Sequence, residues 1–453
     1  MKSGIRLRTF LLGLFFLAAG CGNGTDGGGT HNLPSSVVQV KLGDAPADRV
    51  VSLKITVDSI TLTSSGGGTV PVLSTPTAVE LTHRAGIVEP LNTASVPQDM
   101  YVSATISVSS PEVKIVDDAG QVFDRIESLT TSSTTVSLNP TLVVSGSPLV
   151  LNLDFDMDAA LQFSGTDVVI TPTFIVTASP VASESAQQVE DGKIEDLKGT
   201  VTGVSGSSFT VGVEQAAGTM TFATDSGTQF EAPLTGVGSL SPGLIVEVEA
   251  VTRADGTLLA TQVEAEDAAI DLEVEGLISQ VTGAPATSFQ LVVQDTTADG
   301  STMPDLGNIV TVNLSGTAFR IDDDDVDLSN LPFATLFSEN TLSQAQRVEV
   351  DADVPDTLTI AADKVKLKKQ ALTGTVTSVS APSGGQVVFT LSLPAESYLV
   401  LLTGQSTLTV VQQPSTELRD ISSVNVFQTV RVRGLLFFNG TTFNMVASRI
   451  DMP

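Results

Sequence analysis

Apolar and polar residues alternate along most of this chain. Val38, Val40 and Leu42 are separated by polar residues, and every second position from Leu149 to Met157 is apolar. Successive side chains of a β-strand point to opposite faces, so this period of two predicts short, half-buried strands. The composition contains 38 Gly and 21 Pro, which favour turns. The pattern predicts an all-β protein.

The first long stretch of strands, residues 37–178, is predicted to form one β-sandwich. Apolar positions change parity between Val57 and Ile60, which predicts a β-bulge near Asp58-Ser59. The segment Asp117–Gly120 lies between apolar flanks and predicts a hairpin turn. A polar and acidic linker, residues 179–196, is expected to follow.

Beyond the linker a short pattern occurs three times. Each copy begins with a Gly-x-apolar-x-x-Val segment, continues with a Phe and a Thr-x-apolar step, and later has a strongly alternating strand. The copies begin at Gly199, Gly276 and Gly374, and the second contains an insertion around Asp322 to Asn340. Repetition of one small β-unit predicts three tandem barrels, at residues 197–268, 272–370 and 371–453.

Two family resemblances agree with this division. The segment Val40–Asp48, with Val57 and Ile60 in the next strand, resembles the start of domain of unknown function 4382. The three repeats resemble domain of unknown function 5666, which implies five-stranded barrels of the oligonucleotide/oligosaccharide-binding (OB) type. The first resemblance also implies an envelope location, since many members of that family are lipoproteins. Neither implies catalytic residues.

The N-terminus has the form of a secretory leader. Lys2, Arg6 and Arg8 precede the apolar run Phe10–Ala19, and small residues lead to Cys21. About ten apolar residues are too few to span a bilayer core of roughly 30 Å as a helix.

The leader resembles a bacterial lipoprotein signal. The resemblance implies removal of residues 1–20 and attachment of diacylglyceryl and further acyl (palmitate) groups to Cys21. Residues 21–36 are Gly-rich and predict a flexible tether. Gly22 rather than Asp follows the cysteine, which in such lipoproteins favours the outer membrane, on its periplasmic or its surface face.

The charge balance restricts the partners. The chain has 51 acidic and 22 basic residues, a formal net charge of −29, which repels phosphate backbones and anionic headgroups. We therefore expect no nucleic-acid partner. Arg431 and Arg433, on alternate positions of one predicted strand, are the place where an anionic partner could dock.

Catalytic residues are scarce. The two histidines are His31, in the tether, and His83, expected at the surface, while Cys21 is the sole cysteine. These residues form no local Ser-His-Asp, Cys-His or zinc motif. Asp44 and Asp48 could act as an acid/base pair on sugars, but a turn stabilised by Asp44 is the preferred interpretation. The chain is expected not to be an enzyme.

Two acidic groups are candidates for Ca²⁺, which prefers oxygen ligands. Asp154, Asp156 and Asp158 would share one face of a strand, and Asp322-Asp323-Asp324-Asp325 form a run in a loop. Solvated carboxylates are the preferred interpretation of both groups. No other cofactor is expected.

The sequence therefore predicts a lipid-anchored, non-enzymatic envelope protein that binds or adheres through an array of β-modules. Its partner would be a glycan or an envelope or surface protein. The alternative is a structural spacer or an envelope-assembly lipoprotein without a ligand, and a hydrolase is the least favoured hypothesis. The barrels are expected to project from the membrane as a stalk or array.

Overall fold

The computed structural model describes residues 35–45, 49–84, 87–164, 167–181, 193–213, 215–265, 272–298, 304–323, 326–353 and 358–453. The leader, Cys21, His31, the tether up to residue 34, Asp48, Asp324, Asp325 and the middle of the linker lie outside the described residues. The residues from Pro34 to Pro453 belong to one compact unit.

The N-terminal domain is built of short strands. Their bounds are β1 Ser35–Ala45, β2 Val50–Ser64, β3 Thr69–Leu73, β4 Thr77–Glu80, β5 Val88–Pro97, β6 Met100–Val116, β7 Val122–Asp124, β8 Ile126–Leu129, β9 Ser133–Val143, β10 Leu149–Asp156, β11 Leu161–Ser164, β12 Asp167–Ile170 and β13 Phe174–Pro180. A 3-10 turn spans Thr82–Arg84, and the helical turn α1 spans Met157–Ala160.

These strands confirm the predicted sandwich. One sheet has the order β13-β10-β1-β5, and a second has β3-β2-β6-β7 with β4 on β2 and β9 on β6. The alternating apolar residues of both sheets form one buried core, as period-two patterns require. A third sheet, β11-β12-β8, adds to this domain.

Two local predictions in the sandwich are confirmed. The pairing of β2 with β6 shifts register between Val57 and Ser59, which is the predicted bulge. The Asp117–Gly120 turn connects β6 to β7: the amide of Asp117 donates to Gln121 O at 2.9 Å, and Gly120 has φ +73°. A positive φ there suits glycine.

The remaining strands form three barrels in tandem. Their bounds are β14 Lys193–Ser205, β15 Ser208–Val213, β16 Thr219–Ala223, β17 Gln229–Phe230, β18 Ile245–Thr252, β19 Leu258–Ala265, β20 Leu272–Gly283, β21 Ala286–Ala298, β22 Ile309–Ile321, β23 Arg347–Ala352, β24 Thr359–Leu367, β25 Lys369–Val379, β26 Val387–Ser392, β27 Thr407–Leu418, β28 Thr429–Phe438 and β29 Phe443–Asp451. A 3-10 turn spans Val237–Ser239, and helix α2 spans Tyr398–Thr403.

All three barrels close in the same way. The second has the order β20-β21-β22-β24-β23 and the third β25-β26-β27-β29-β28. In the first, β16 pairs in parallel with β19 and closes β16-β15-β14-β18-β19. Each barrel thus places its fifth strand between the third and the fourth. The described part of the Asp322–Asn340 insertion is irregular loop between β22 and β23.

The repeated sequence pattern has a structural cause. The first Gly of each copy allows close approach of the next strand: a Cβ on Gly276 would lie 1.9 Å from Val292 O. The repeated Thr donates its hydroxyl to a carbonyl of the last strand, at 2.7 to 2.8 Å in all three barrels. These bonds are Thr228 to Ala260 O, Thr317 to Ala362 O and Thr416 to Ala447 O.

The domains pack together, so the predicted projecting stalk is wrong. One buried cluster contains Val51 and Val116 of the sandwich, Leu277 and Val292 of the second barrel, and the core of the third. Burial of apolar surface between domains favours one fixed arrangement. The two ends of the predicted linker, residues 179–196, also belong to strands, because β13 ends at Pro180 and β14 begins at Lys193.

Candidate functional site

A buried cluster of charged side chains lies where the first and second barrels meet. Lys198 of β14 extends its ammonium group to Glu273 of β20 and Glu349 of β23, and it lies 3.6 Å from Glu247 of β18. The Lys198 side chain is 4% exposed and that of Glu349 is 0% exposed. Ions buried this deeply need close partners of opposite charge, and this set supplies them from both barrels.

Lys368, directly after β24, extends the same cluster. Its Nζ atom lies 3.1 Å from Asp322, 3.5 Å from Glu349 and 3.6 Å from Glu247. Burial alone would raise the pKa of Glu349, but the ammonium groups of Lys198 and Lys368 outweigh burial and lower that pKa well below its usual range. Burial would likewise lower the pKa of Lys368, yet the carboxylates of Asp322, Glu247 and Glu349 raise it. Glu349 and Lys368 therefore stay ionised at neutral pH.

A second charged group comes from the sandwich. His83, in the 3-10 turn, lies between Glu80 (Nδ1 at 3.2 Å) and Glu89 (Nε2 at 3.2 Å). Arg84 lies 3.0 Å from Glu89. Burial alone would lower the pKa of His83, but Glu89 and the hydrogen bond with Glu80 raise it to about 9.

His83 is only 3% exposed, so its expected surface position is wrong. The 3-10 turn places it in the interior because the amide of His83 donates to Glu80 at 3.0 Å. A histidine that remains protonated at neutral pH and is bonded through both ring nitrogens is poorly suited to act as a general base. The geometry thus makes His83 a structural cation.

Arg347 and Gln215 join these groups across domains. Arg347, at the start of β23, lies 2.8 Å from Glu275 through Nε and donates to the carbonyl of His83 at 3.1 Å through Nη1. Gln215 of the first barrel accepts from the amide of Glu80 at 2.6 Å and donates to Asp295 at 2.7 Å. Side chains from the sandwich and two barrels are therefore connected through buried polar contacts.

Two small cavities lie at this junction. One, of about 50 Å³, is lined by residues that include Thr82, Arg347 and Tyr398, and the other, of about 20 Å³, by residues that include Glu89 and Lys368. Such volumes hold one or two water molecules, whereas small-molecule sites occupy about 300–1,000 Å³. Neither of these two cavities has the volume of a small-molecule site, and the polar contacts around them can fix the orientation of the domains.

One acidic set in the cluster resembles a metal site in its geometry. Carboxylate oxygens of Glu273, Glu349 and Asp351 lie within 4.8 Å of one another. However, Lys198 bonds two of these side chains and Lys364 pairs with Asp351. Lysine ammonium groups therefore supply the positive charge that a metal ion would bring.

The predicted calcium residues do not converge as expected. Asp154 and Asp156 lie on β10, but Asp158 lies in α1 and not on the strand. The helical turn begins because the Asp156 carboxylate caps it, accepting from the amide of Ala159 at 3.0 Å. Burial raises the pKa of Asp154, and the guanidinium of Arg431 opposes this shift.

The Asp322–Asp325 run is also different from the expected hydrated loop. Asp322 is 3% exposed and paired with Lys368, whereas Asp323 is exposed. Asp44 and Asp48 were considered as an acid/base pair. Asp44 lies near the end of β1, where the structure describes its backbone, and Asp48 lies outside the described residues.

The arginines of the third barrel are already engaged. Arg431 lies 2.9 Å from Asp451, with 16% of its side chain exposed. Arg433 is 6% exposed and belongs to the buried residues. The expectation that both present an exposed anion-binding face is wrong, because Arg431 is paired with Asp451 and Arg433 is buried.

Sequence reasoning missed the cluster at Lys198, Glu349 and Lys368. In an amphipathic strand the charged members of the alternation are expected to face water. A signal was present in the unusual run Lys364-Val365-Lys366-Leu367-Lys368-Lys369 of a strongly acidic chain. Lys364 of this run pairs with Asp351, and Lys368 pairs with Glu247 of the first barrel and Glu349 of the second.

Comparisons with known proteins agree on the domains and give no activity. A search of the curated proteins finds no match. Among solved structures, the single-stranded DNA binding protein from Thermus aquaticus is 13% identical, with a TM-score of 0.15, covering 40% of this chain and 91% of that chain. Drosophila Unr CSD456 is 11% identical, with a TM-score of 0.13, covering 57% and 97%. These scores are too low to carry an argument about ligands.

The family matches coincide with the first two folded regions. Residues 35–172 match "Domain of unknown function (DUF4382)", and residues 198–264 match "Domain of unknown function (DUF5666)". The second and third barrels repeat the strand order of the first. The chain therefore has an N-terminal region that matches domain of unknown function 4382, a barrel that matches domain of unknown function 5666, and two further barrels of the same strand order.

Proposed function

We propose that this chain is a lipid-anchored, non-enzymatic protein of the bacterial cell envelope that binds a glycan or another envelope or surface protein. Cys21 carries the acyl groups, and the outer membrane is the proposed location. The four domains act together as one binding head, and the partner attaches to its outer surface.

The observation that supports this most is the closed interior of the domain junction. Its ionisable groups are held in ion pairs such as Lys198–Glu349 and Arg347–Glu275, and its cavities are close to the size of water molecules. An enzyme needs a cleft in which a nucleophile or base meets the substrate. A fixed assembly with a large outer surface is better suited to binding.

The anchor rests on the sequence. The apolar run Phe10–Ala19, followed by Gly20 and Cys21, has the spacing of a lipoprotein signal. Within the described residues, the structure contains no helix with the length and apolar character needed to cross a membrane. Two or more acyl chains hold a protein stably on a bilayer, whereas a single chain does not.

A structural spacer or assembly factor remains the second candidate, favoured by the buried charges that fix the domains. Buried ion pairs add little net stability but can specify one arrangement. A binding protein has a ligand of its own, whereas a spacer or assembly factor has none.

Binding by the full chain, purified in mild detergent, separates them. We expect saturable binding to at least one member of a glycan array or an envelope-protein panel, and its loss after heat unfolding. Uniform absence of binding would favour the spacer. Turnover of chromogenic esters or glycosides that disappears in an Asp44→Asn variant would instead show an enzyme.

Cys21→Ser, with Ser36→Ala as control, tests the anchor by incorporation of labelled palmitate.

A further inference from the structure

One backbone position differs among the three barrels in a way that points to an interaction surface. Just before the fourth strand of each barrel, one residue has a positive φ and donates its amide to the first strand. The three bonds are Gly243 to Val201 O at 2.9 Å, Ala345 to Ile278 O at 2.8 Å and Phe427 to Val376 O at 2.8 Å. The same turn is therefore built with three different side chains.

Phe427 is the unexpected member of this set. Its φ is +69°, a region in which a bulky L-residue is disfavoured and glycine is not. The ring is nonetheless 85% exposed, so it fills no core and gains no burial that would offset the strain. Strained positions that persist in this way concentrate at functional sites.

Two further exposed apolar residues are associated with Phe427: Val426 precedes it in the chain, and Met452 contacts the neighbouring Gln428. Val426 is 41% exposed and Met452 is 45% exposed, and the Gln428 amide lies 3.3 Å from the sulfur of Met452. These three apolar residues, Val426, Phe427 and Met452, are called the apolar tip below.

Two segments of the third barrel around Phe427 contain no charged residue. Residues 371–395, which include the strand bonded to Phe427, contain no Asp, Glu, Lys or Arg, and neither do residues 421–430. The third barrel, from Lys369 to Asp451, contains four acidic and five basic residues, in a chain with a net charge of −29. These segments can therefore approach a lipid surface with little charge repulsion and little desolvation of ions.

We propose that the apolar tip inserts into the headgroup region of a lipid bilayer whose surface is zwitterionic. The inference rests on the proposed lipid anchor, which would keep the chain beside a membrane. A second copy of the chain fits less well, because a Phe side chain offers about 150–250 Å² whereas a stable interface needs roughly 800 Å² from each partner. Insertion at a second point would also restrict the orientation of the anchored head.

The chain contains no Trp, which makes the test direct. Phe427→Trp introduces a single reporter at the tip, and Leu336→Trp introduces one at a 65% exposed position of the second barrel. Each full-length variant is mixed with excess phosphatidylcholine vesicles that carry brominated acyl chains. We expect a blue shift and loss of emission for Trp at 427, and neither change for Trp at 336.

Other outcomes would overturn the proposal. Unchanged emission at 427 under vesicle excess rejects insertion, whatever a parallel flotation assay shows about the anchor. Equal quenching at both positions also rejects a specific tip, and so does a shift that depends on protein concentration without lipid, which would indicate a second copy. As a second variant, Phe427→Gly keeps the turn found at Gly243 and should weaken the binding of the folded head to vesicles about 10-fold or more.

Discussion

Replacing Lys198 by Met should destabilise the contact between the first two barrels more than any exposed ion pair could. The ammonium group serves three carboxylates, Glu247, Glu273 and Glu349, whose side chains are 9%, 3% and 0% exposed. Without it they keep their charges in a poorly solvated site. Removal of one partner from a buried ionic group costs about 3–5 kcal/mol, a large share of the roughly 5–15 kcal/mol that stabilises a typical domain.

The pH dependence follows from the lowered pKa of Glu349. In the parent chain, ionised Glu349 contributes to the free energy of unfolding at pH values above its ordinary pKa of 4.5. This contribution is lost only as the pH falls through the lowered pKa of the folded state. In Lys198→Met that pKa moves upward, since burial then acts with less compensation. The difference from the parent chain should therefore be greatest near pH 7 and shrink as the pH approaches 5.

Urea unfolding followed by far-UV circular dichroism, with hydrogen exchange of β14 and β18, measures this loss. Lys54→Met is the matched control: Lys54 lies 2.9 Å from Glu112, which is 59% exposed, so its loss should cost about 0–1 kcal/mol. The double variant Lys198→Met/Glu349→Gln should recover part of the stability. Equal effects of Lys198→Met and Lys54→Met, or no recovery in the double variant, would refute the reasoning.

Three further predictions concern single positions. The pKa of His83 rises from 6.5 to about 9 on folding. Protonated His83 should therefore contribute fully to the free energy of unfolding below pH 6.5, and this contribution should disappear as the pH rises through 9. Urea midpoints should show this decline in the parent chain and not in His83→Gln. Gly276→Ala should lower the thermal midpoint clearly, because the new Cβ would lie 1.9 Å from Val292 O, whereas Gly203→Ala, with open space around its Cβ, should not. Thr416→Val should cost about 1–3 kcal/mol in urea unfolding, since it leaves a buried carbonyl without its 2.7 Å hydroxyl donor; an unchanged midpoint would mean that the repeated Thr is not structural.

The fold was accessible from the sequence because local rules act together along each strand. Period-two alternation, the parity switch at Asp58-Ser59 and the repeated Gly and Thr positions each reflect a contact that any closed β-barrel or sandwich must make. Helix α2 escaped this reasoning: Leu399-Val400-Leu401-Leu402 is typical of a strand, yet tertiary packing makes it helical, with Leu399 buried.

The junction was not accessible for a different reason. Lys198 and Glu349 are 151 positions apart. In the sequence, each occupies a polar position that is expected to lie on the solvent-exposed face of its own strand. Only the docking of one barrel on another turns these faces inward, and one sequence contains no record of that docking. His83 and Arg433 were also expected at the surface and are buried, and for His83 the hydrogen bonds with Glu80 and Glu89 of its own domain account for this.

The measurement that tests the proposed function most directly is the intact mass of the protein extracted from membranes of its bacterial host. A lipid-anchored head predicts a chain that lacks residues 1–20 and carries diacylglyceryl and acyl mass on the peptide that begins with Cys21. A full-length chain with an unmodified thiol, recovered from the soluble fraction, would contradict the account.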